Sequence, residues 1–191
     1  MSVGGAGVVA TPGLPPGGLT GQVLTKESND NFDADWEGGG PVPGTLPTGG
    51  AAGQILHKDS GTDFDASWVD NITTLPIVID GGGAEITTGI KGDHHWDFDG
   101  ELLGYTMLAD QSGAIVIDIW KDTYANYPPT DADSITSGGT PPTISGPSDK
   151  SQDNTLTGWD TAFAAGDTYR FNVDSVTDIE RVELGLRVRK S

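Results

Sequence analysis

The 191-residue chain contains no cysteine, which excludes disulfides and thiolate metal sites and leaves the redox compartment open. Basic residues are few: 10 Lys and Arg stand against 28 Asp and Glu, for a net charge of −18. Phosphate backbones and anionic bilayers repel such a surface, so neither nucleic acid nor membrane is expected as a partner. The plain reading of the acidity is solubility in a crowded setting. Histidine is scarce, with three residues, two of them adjacent, so a His-based triad has little to draw on. No apolar run approaches the ~18 residues of a membrane span. The first residues, Met1-Ser2-Val3-Gly4-Gly5, lack the basic and apolar regions of a signal peptide, so synthesis and assembly in a cytosol are expected. Gly-x-Ser-x-Gly, phosphate-loop and His-Glu-x-x-His patterns are all missing. Carboxylates are plentiful, but no pair is singled out for glycosidase chemistry. The expectation is a non-enzyme that needs no cofactor.

What the chain does contain is a stretch that occurs twice. Leu14-Pro15 to Trp36 and Leu46-Pro47 to Trp68 align without a gap, 32 positions apart. Each unit, taken as residues 14–40 and 46–70, has a short strand at Gln-(Val/Ile)-Leu-(Thr/His)-Lys, a polar turn and an aromatic pair. Each offers too little apolar surface to offset the entropy of ordering it. It must therefore stack on its neighbouring repeat or on copies of itself in other chains. Leu24, Phe32, Trp36, Leu56, Phe64 and Trp68 are the expected packing residues of a two-repeat stem over 14–74.

Gly-Gln-(Val/Ile)-Leu-x-Lys-x-Ser with Phe-Asp-x-x-Trp resembles a short repeat of bacteriophage fibre and virion structural proteins. There it usually sits between a particle-binding N terminus and a distal domain. The resemblance implies a phage virion protein located on the particle; with the need of each repeat to stack, the expected assembly is a homotrimer. Its small size points to a trimeric capsid decoration protein or short head fibre, with the major capsid protein or another virion protein as partner. A tail-fibre or receptor-binding protein that recognises host surface carbohydrate is the alternative, and a depolymerase is the enzymatic rival.

Residues 1–13 are small and uncharged apart from the terminal amine. Such a segment cannot form its own core, but it can lie close against another backbone, with Val3, Val8 and Val9 filling small apolar pockets. It is the expected particle anchor. Gly38 to Gly44 should be an extended linker.

From Leu75 the pattern turns to strands. They are expected at Leu75–Ile79, Glu85–Ile90, His94–Phe98, Leu102–Leu108, Ala114–Lys121, Thr168–Val173 and Arg181–Lys190. Further short ones are expected near Ser134 and Thr143, and a helical turn within Thr157–Ala165. In Ala114–Lys121, apolar residues on both faces predict a strand buried between two layers. The polar stretch 127–154 must be functional or well tied down. The predicted fold is all-β: an extended Gly/Pro-rich anchor and stem, then an antiparallel jelly-roll-like β-sandwich over 75–191. This half also resembles a domain found at the C terminus of phage structural proteins, through Ile86–Lys91, Asp110–Trp120, Leu156–Trp159 and Ala165–Asp167. It departs from that domain at His94-His95-Trp96, where small or aliphatic residues are expected.

Asp33-Ala34-Asp35-Trp36-Glu37-Gly38 begins like a calcium loop, but position twelve is Gly44, so an EF-hand is rejected. Asp93 to Asp99 is the cluster with metal-ligand chemistry. His94 and His95 should point to opposite faces of a strand, so one chain cannot close a metal site with both, although a threefold axis could bring copies together. Trp120 and Trp159 read as core. Trp96, beside His94 and His95, is the candidate for an exposed ligand contact.

Overall fold

The computed structural model describes residues 18–19, 22–27, 34–38, 47–62 and 64–191. Val3, Val8, Val9 and Phe32 lie outside the described residues. Almost all regular structure is antiparallel β; among the described residues there is no α-helix, only 3-10 turns at Tyr124–Asn126 and Asp131–Asp133. Two compact units are present, one of Met1–Thr48 with Lys58–Ser67 and one of Gly49–His57 with Trp68–Ser191. No helix of the described residues is long and apolar enough to cross a membrane.

The duplicated stretch forms two hairpins. In the first, β1 (Gln22–Lys26) pairs with β2 (Ala34–Gly38), and Leu24 stands opposite Trp36. In the second, β3 (Gln54–Lys58) pairs with β4 (Ala66–Asp70). Both are opened by the same device. The Gln22 side chain accepts from the Leu19 N–H at 2.7 Å, and the Gln54 side chain accepts from the Ala51 N–H at 2.9 Å. Each glutamine also donates its own backbone N–H to the carbonyl of that residue, closing a capped turn. A glycine then makes room for the tryptophan. A Cβ on Gly18 would lie 2.4 Å from the Trp36 ring, and one on Gly50 would lie 2.6 Å from the Trp68 ring. The repeated Gly, Gln and Trp are thus parts of one local construction.

Leu24, Trp36, Leu56 and Trp68 are half-buried. Phe64 departs from the expected packing: it is 54% exposed, with φ at 61°. A left-handed residue in the hairpin connection carries its side chain outward.

The larger unit holds nine further strands: β5 (Ile72–Asp80), β6 (Gly89–His95), β7 (Gly100–Ala109), β8 (Ala114–Thr123), β9 (Thr143–Ile144), β10 (Lys150–Asp153), β11 (Ala162–Phe163), β12 (Asp167–Thr177) and β13 (Arg181–Lys190). One sheet runs β10-β7-β13-β5, with β11 on β7; the other runs β6-β12-β8-β9. The expected junction between residues 74 and 75 falls inside β5, whose pairing with β13 runs from Asp80↔Arg181 to Ile72↔Arg189.

Alternation explains the core. Val182, Leu184, Leu186 and Val188 of β13 are fully buried, as are Ile115, Ile117 and Ile119 of β8 and Tyr169, Phe171 and Val173 of β12. These rows belong to one apolar cluster shared by the two sheets.

Two local expectations fail for identifiable reasons, and one strand was not expected. The strands expected at Glu85–Ile90 and His94–Phe98 are one strand, β6, which spans the gap between them and leaves Ile86 buried outside it. Lys91-Gly92-Asp93 interrupts the apolar pattern, and the pairing to β12 continues past it through a bulge at Lys91, from Phe171↔Gly92 to Asn172↔Ile90. The helical turn within 157–165 is replaced by a turn and β11; Leu156 at φ 46° and Gly158 at φ 82° turn the backbone out of helical geometry. The edge strand β10, Lys-Ser-Gln-Asp, carries no apolar residue and left no periodic trace in the sequence.

The polar stretch after β8 is tied down. The Ile135 N–H donates to the Ile119 carbonyl and the Ile117 N–H to that of Pro142, both at 2.9 Å. Asp118 is 7% exposed, and Oδ1 accepts from the Ser134 hydroxyl at 2.7 Å, the Thr136 hydroxyl at 2.6 Å and the Ile119 N–H at 2.8 Å. Its other oxygen accepts from the Trp120 indole at 2.8 Å. Four donors thus satisfy this buried carboxylate. Trp120 is buried; Trp159 is half-buried, stacks on Tyr105 and donates to the Thr140 carbonyl at 3.0 Å.

Candidate functional site

Where β6 ends, the outer face of the four-stranded sheet carries an open cleft of about 680 Å³, within the usual ~300–1,000 Å³ range of small-molecule sites. Its position follows from backbone chemistry. Beyond His95, the Trp96 carbonyl accepts from the Gly166 N–H at 2.7 Å, and the Gly166 carbonyl accepts from the Tyr124 N–H at 3.0 Å. Gly166 has φ at 97°, a conformation that suits glycine. This ladder places the 3-10 turn of Tyr124 beside the end of β6. Thr168 adds a buried hydroxyl that donates to the Asp122 carbonyl at 3.0 Å.

One wall is aromatic. Tyr124 is 74% exposed and Tyr127 47% exposed, while most aromatic side chains of this unit are buried or half-buried. The Tyr124 and His95 rings meet edge-on, with centroids 6.3 Å apart. Tyr127 is held from two sides. Its hydroxyl donates to Asp93 Oδ2 at 2.8 Å and accepts from Arg170 Nη2 at 3.0 Å, and the Arg170 guanidinium lies over its ring at 5.2 Å from the centroid.

Asp93 and Arg170 face each other across β6 and β12, where they are register partners. Arg170 Nε reaches Asp93 Oδ1 at 2.7 Å and Nη2 reaches Oδ2 at 3.1 Å, a bidentate pair. The guanidinium, followed by the Tyr127 hydroxyl, holds the Asp93 carboxyl below its ordinary value despite partial burial. The pair therefore enters the cleft as fixed, mutually neutralised charges.

His94 and His95 diverge, as expected of neighbours on a strand. His94 turns toward the core edge and packs edge-on against Trp96 at 4.5 Å; desolvation first, then the His95 charge, lower its pKa, with Asp97 opposing. His95 is exposed, with Nε2 3.4 Å from Asp97 Oδ1. Among the described residues, no three His, Asp or Glu side chains gather as metal ligands.

Trp96 corrects the expectation of an exposed contact. It is 2% exposed and stacks on Phe163 at 4.2 Å, with Tyr169 and Phe98 edge-on. Lying just past the end of β6, it is two residues from His94 and so shares that residue's inward face. The sequence reading missed Tyr124, Tyr127 and Arg170. The available signal was the aromatic pair in Tyr-Ala-Asn-Tyr-Pro-Pro, placed where a polar connection begins.

Compared with known proteins, the chain matches no family model, and no curated protein or solved structure is significantly similar to it.

Proposed function

We propose that the chain is a non-enzymatic bacteriophage virion structural protein: a homotrimeric capsid decoration protein or short head fibre, attached by its N terminus to the major capsid protein or another virion protein. The observation that carries the reading is the duplicated hairpin. The same Gly–Trp and Gln-capped construction is made twice, and it leaves Leu19, Ile55 and Phe64 exposed at 78%, 46% and 54%. Repeats with so much uncovered apolar surface belong against further copies. In this reading the hairpins form the stem, and residues 1–13, with Val3, Val8 and Val9, form the anchor.

The body is read as a jelly-roll β-sandwich. Strand orders β5-β13-β7-β10 and β6-β12-β8-β9, with the chain crossing between the sheets from β5 through β8, match the wiring of two interlocked Greek keys. That architecture is common in viral capsid and lectin domains.

The test is particle binding. Full-length protein added to undecorated capsids should bind, and protein lacking residues 2–13 should stay folded and trimeric but remain unbound. Equal binding by both would place attachment elsewhere. A monodisperse species at one chain mass, 19.8 kDa, would remove the trimer.

A further inference from the structure

We propose that the Tyr124–Tyr127 cleft binds a neutral saccharide, with the two tyrosine rings as its stacking wall. The inference rests on the cleft and not on the particle assignment above.

Two large aromatic side chains stay in water here, at 74% and 47% exposure, in a protein that stacks Trp96, Phe163 and Trp159 inward. The Tyr127 ring is held by two hydrogen bonds and a guanidinium, and the Tyr124 backbone by its bond to Gly166. An aromatic face presented to solvent in a concave site is built to take an apolar surface.

Charge selects among ligands with such a surface. An anionic ligand approaches a chain of net charge −18 and is repelled. A quaternary ammonium would suit tyrosine faces, but here it would meet the like charge of the Arg170 guanidinium beside Tyr127, which an uncharged ligand does not. Asp93, the carboxylate among the residues lining the cleft, is committed to Arg170 and Tyr127 and offers a cation little. The ligand that fits is uncharged, with an apolar face for the tyrosines and hydroxyl groups for a polar rim. A pyranose ring has that division: C–H groups on its faces, hydroxyls around its edge. The exposed imidazole of His95, at the mouth of the cleft, can supply a donor or an acceptor to such hydroxyls.

Ligand-detected saturation-transfer NMR on the full-length protein tests this. The probes are glucose, galactose, N-acetylglucosamine and maltose, with N-acetylneuraminic acid and choline as charged comparators, all at millimolar concentration. At least one neutral sugar should receive saturation through its ring protons. Tyr124→Ala, at an exposed position, should leave the urea midpoint unchanged and weaken that sugar by about tenfold or more. His95→Ala should weaken it less. No transfer to any neutral sugar overturns the proposal, as does transfer that Tyr124→Ala leaves intact, or a Tyr124-dependent signal from choline alone. Capsid binding by Tyr124→Ala should equal that of the parent protein, so loss of the sugar site and loss of the particle assignment are read separately.

Discussion

The Trp120 indole N–H donates to Asp118 Oδ2 at 2.8 Å, joining two side chains on the same face of β8 beneath the connection that covers that face. The other carboxylate oxygen holds Ser134 and Thr136 of that connection. Asp118→Ala would leave these donors without their acceptor, at about 1–3 kcal/mol for each group that finds no water. The expected result is a loss of about 3 kcal/mol or more in urea unfolding, with new protease cleavage between residues 127 and 154. Asp118→Asn, which keeps the shape and one acceptor, should fall between. A cleavage pattern unchanged in Asp118→Ala would show that the backbone bonds of Ile135 and Ile117 hold the connection unaided.

The glycines under the repeat tryptophans make the hairpins sensitive to a single methyl group. Gly50→Ala sets a Cβ against the Trp68 ring, while Gly61, in the same hairpin, has open space. Gly50→Ala should cost about 1–3 kcal/mol in the hairpin, and Gly61→Ala close to nothing. Limited proteolysis mapped by mass spectrometry should show faster cutting within 50–70 in the first variant alone. Because Trp36 and Trp68 are only half-buried, alanine at either should cost less than the ~3–5 kcal/mol of a fully buried aromatic.

Acid should weaken the body through His94. Its folded pKa lies below its ordinary value of 6.5, chiefly through desolvation. The unfolded chain therefore takes up a proton first as pH falls, and stability is lost from about pH 6.5 down to the folded pKa. The urea midpoint should drop between about pH 7.5 and about pH 5.5, and His94→Gln should reduce that drop. An identical drop in the variant would assign the effect to other groups.

Tyr169 is fully buried and its hydroxyl has no hydrogen-bond partner; burial, with Asp160 and Asp167 nearby, pushes its pKa up. Tyr169→Phe removes an unsatisfied polar atom and keeps the ring that meets Trp96. Stability should rise by about 1 kcal/mol. A loss of similar size would mean that the hydroxyl is solvated inside the core.

What was legible in the chain depended on whether a strand shows water one face. β13 alternates from Val182 to Val188, and its reading matched the structure almost residue for residue. β8 betrayed its cover because Val116, Asp118 and Trp120 occupy the face opposite the isoleucines. β6 and β10 were obscure for the converse reason: their polar residues sit on pairing edges, where backbone bonds rather than apolar contacts hold the strand. The cleft was half legible. His94 and His95 attracted notice by their chemistry, but Tyr127 and Arg170 stand 33 and 76 positions from His94, and the register of β12 on β6 is needed to bring Arg170 to Asp93. The Gly and Gln of the repeats were seen as matches, but their job was not, because a ring lying on a glycine leaves no periodicity to read.

The strand orders also set a timetable. β12 lies between β6 and β8, and β13 lies between β7 and β5, so the centre of each sheet is supplied by the last two strands in chain order. During synthesis β5, β6, β7 and β8 all emerge before any of them has its main partner. Until Asp167–Lys190 follows, four strands stand with open edges, three of them rich in apolar residues, and the body cannot assemble piece by piece behind the ribosome. Its folding is held for one late closing event, and the nascent chain is most open to mispairing just before that event.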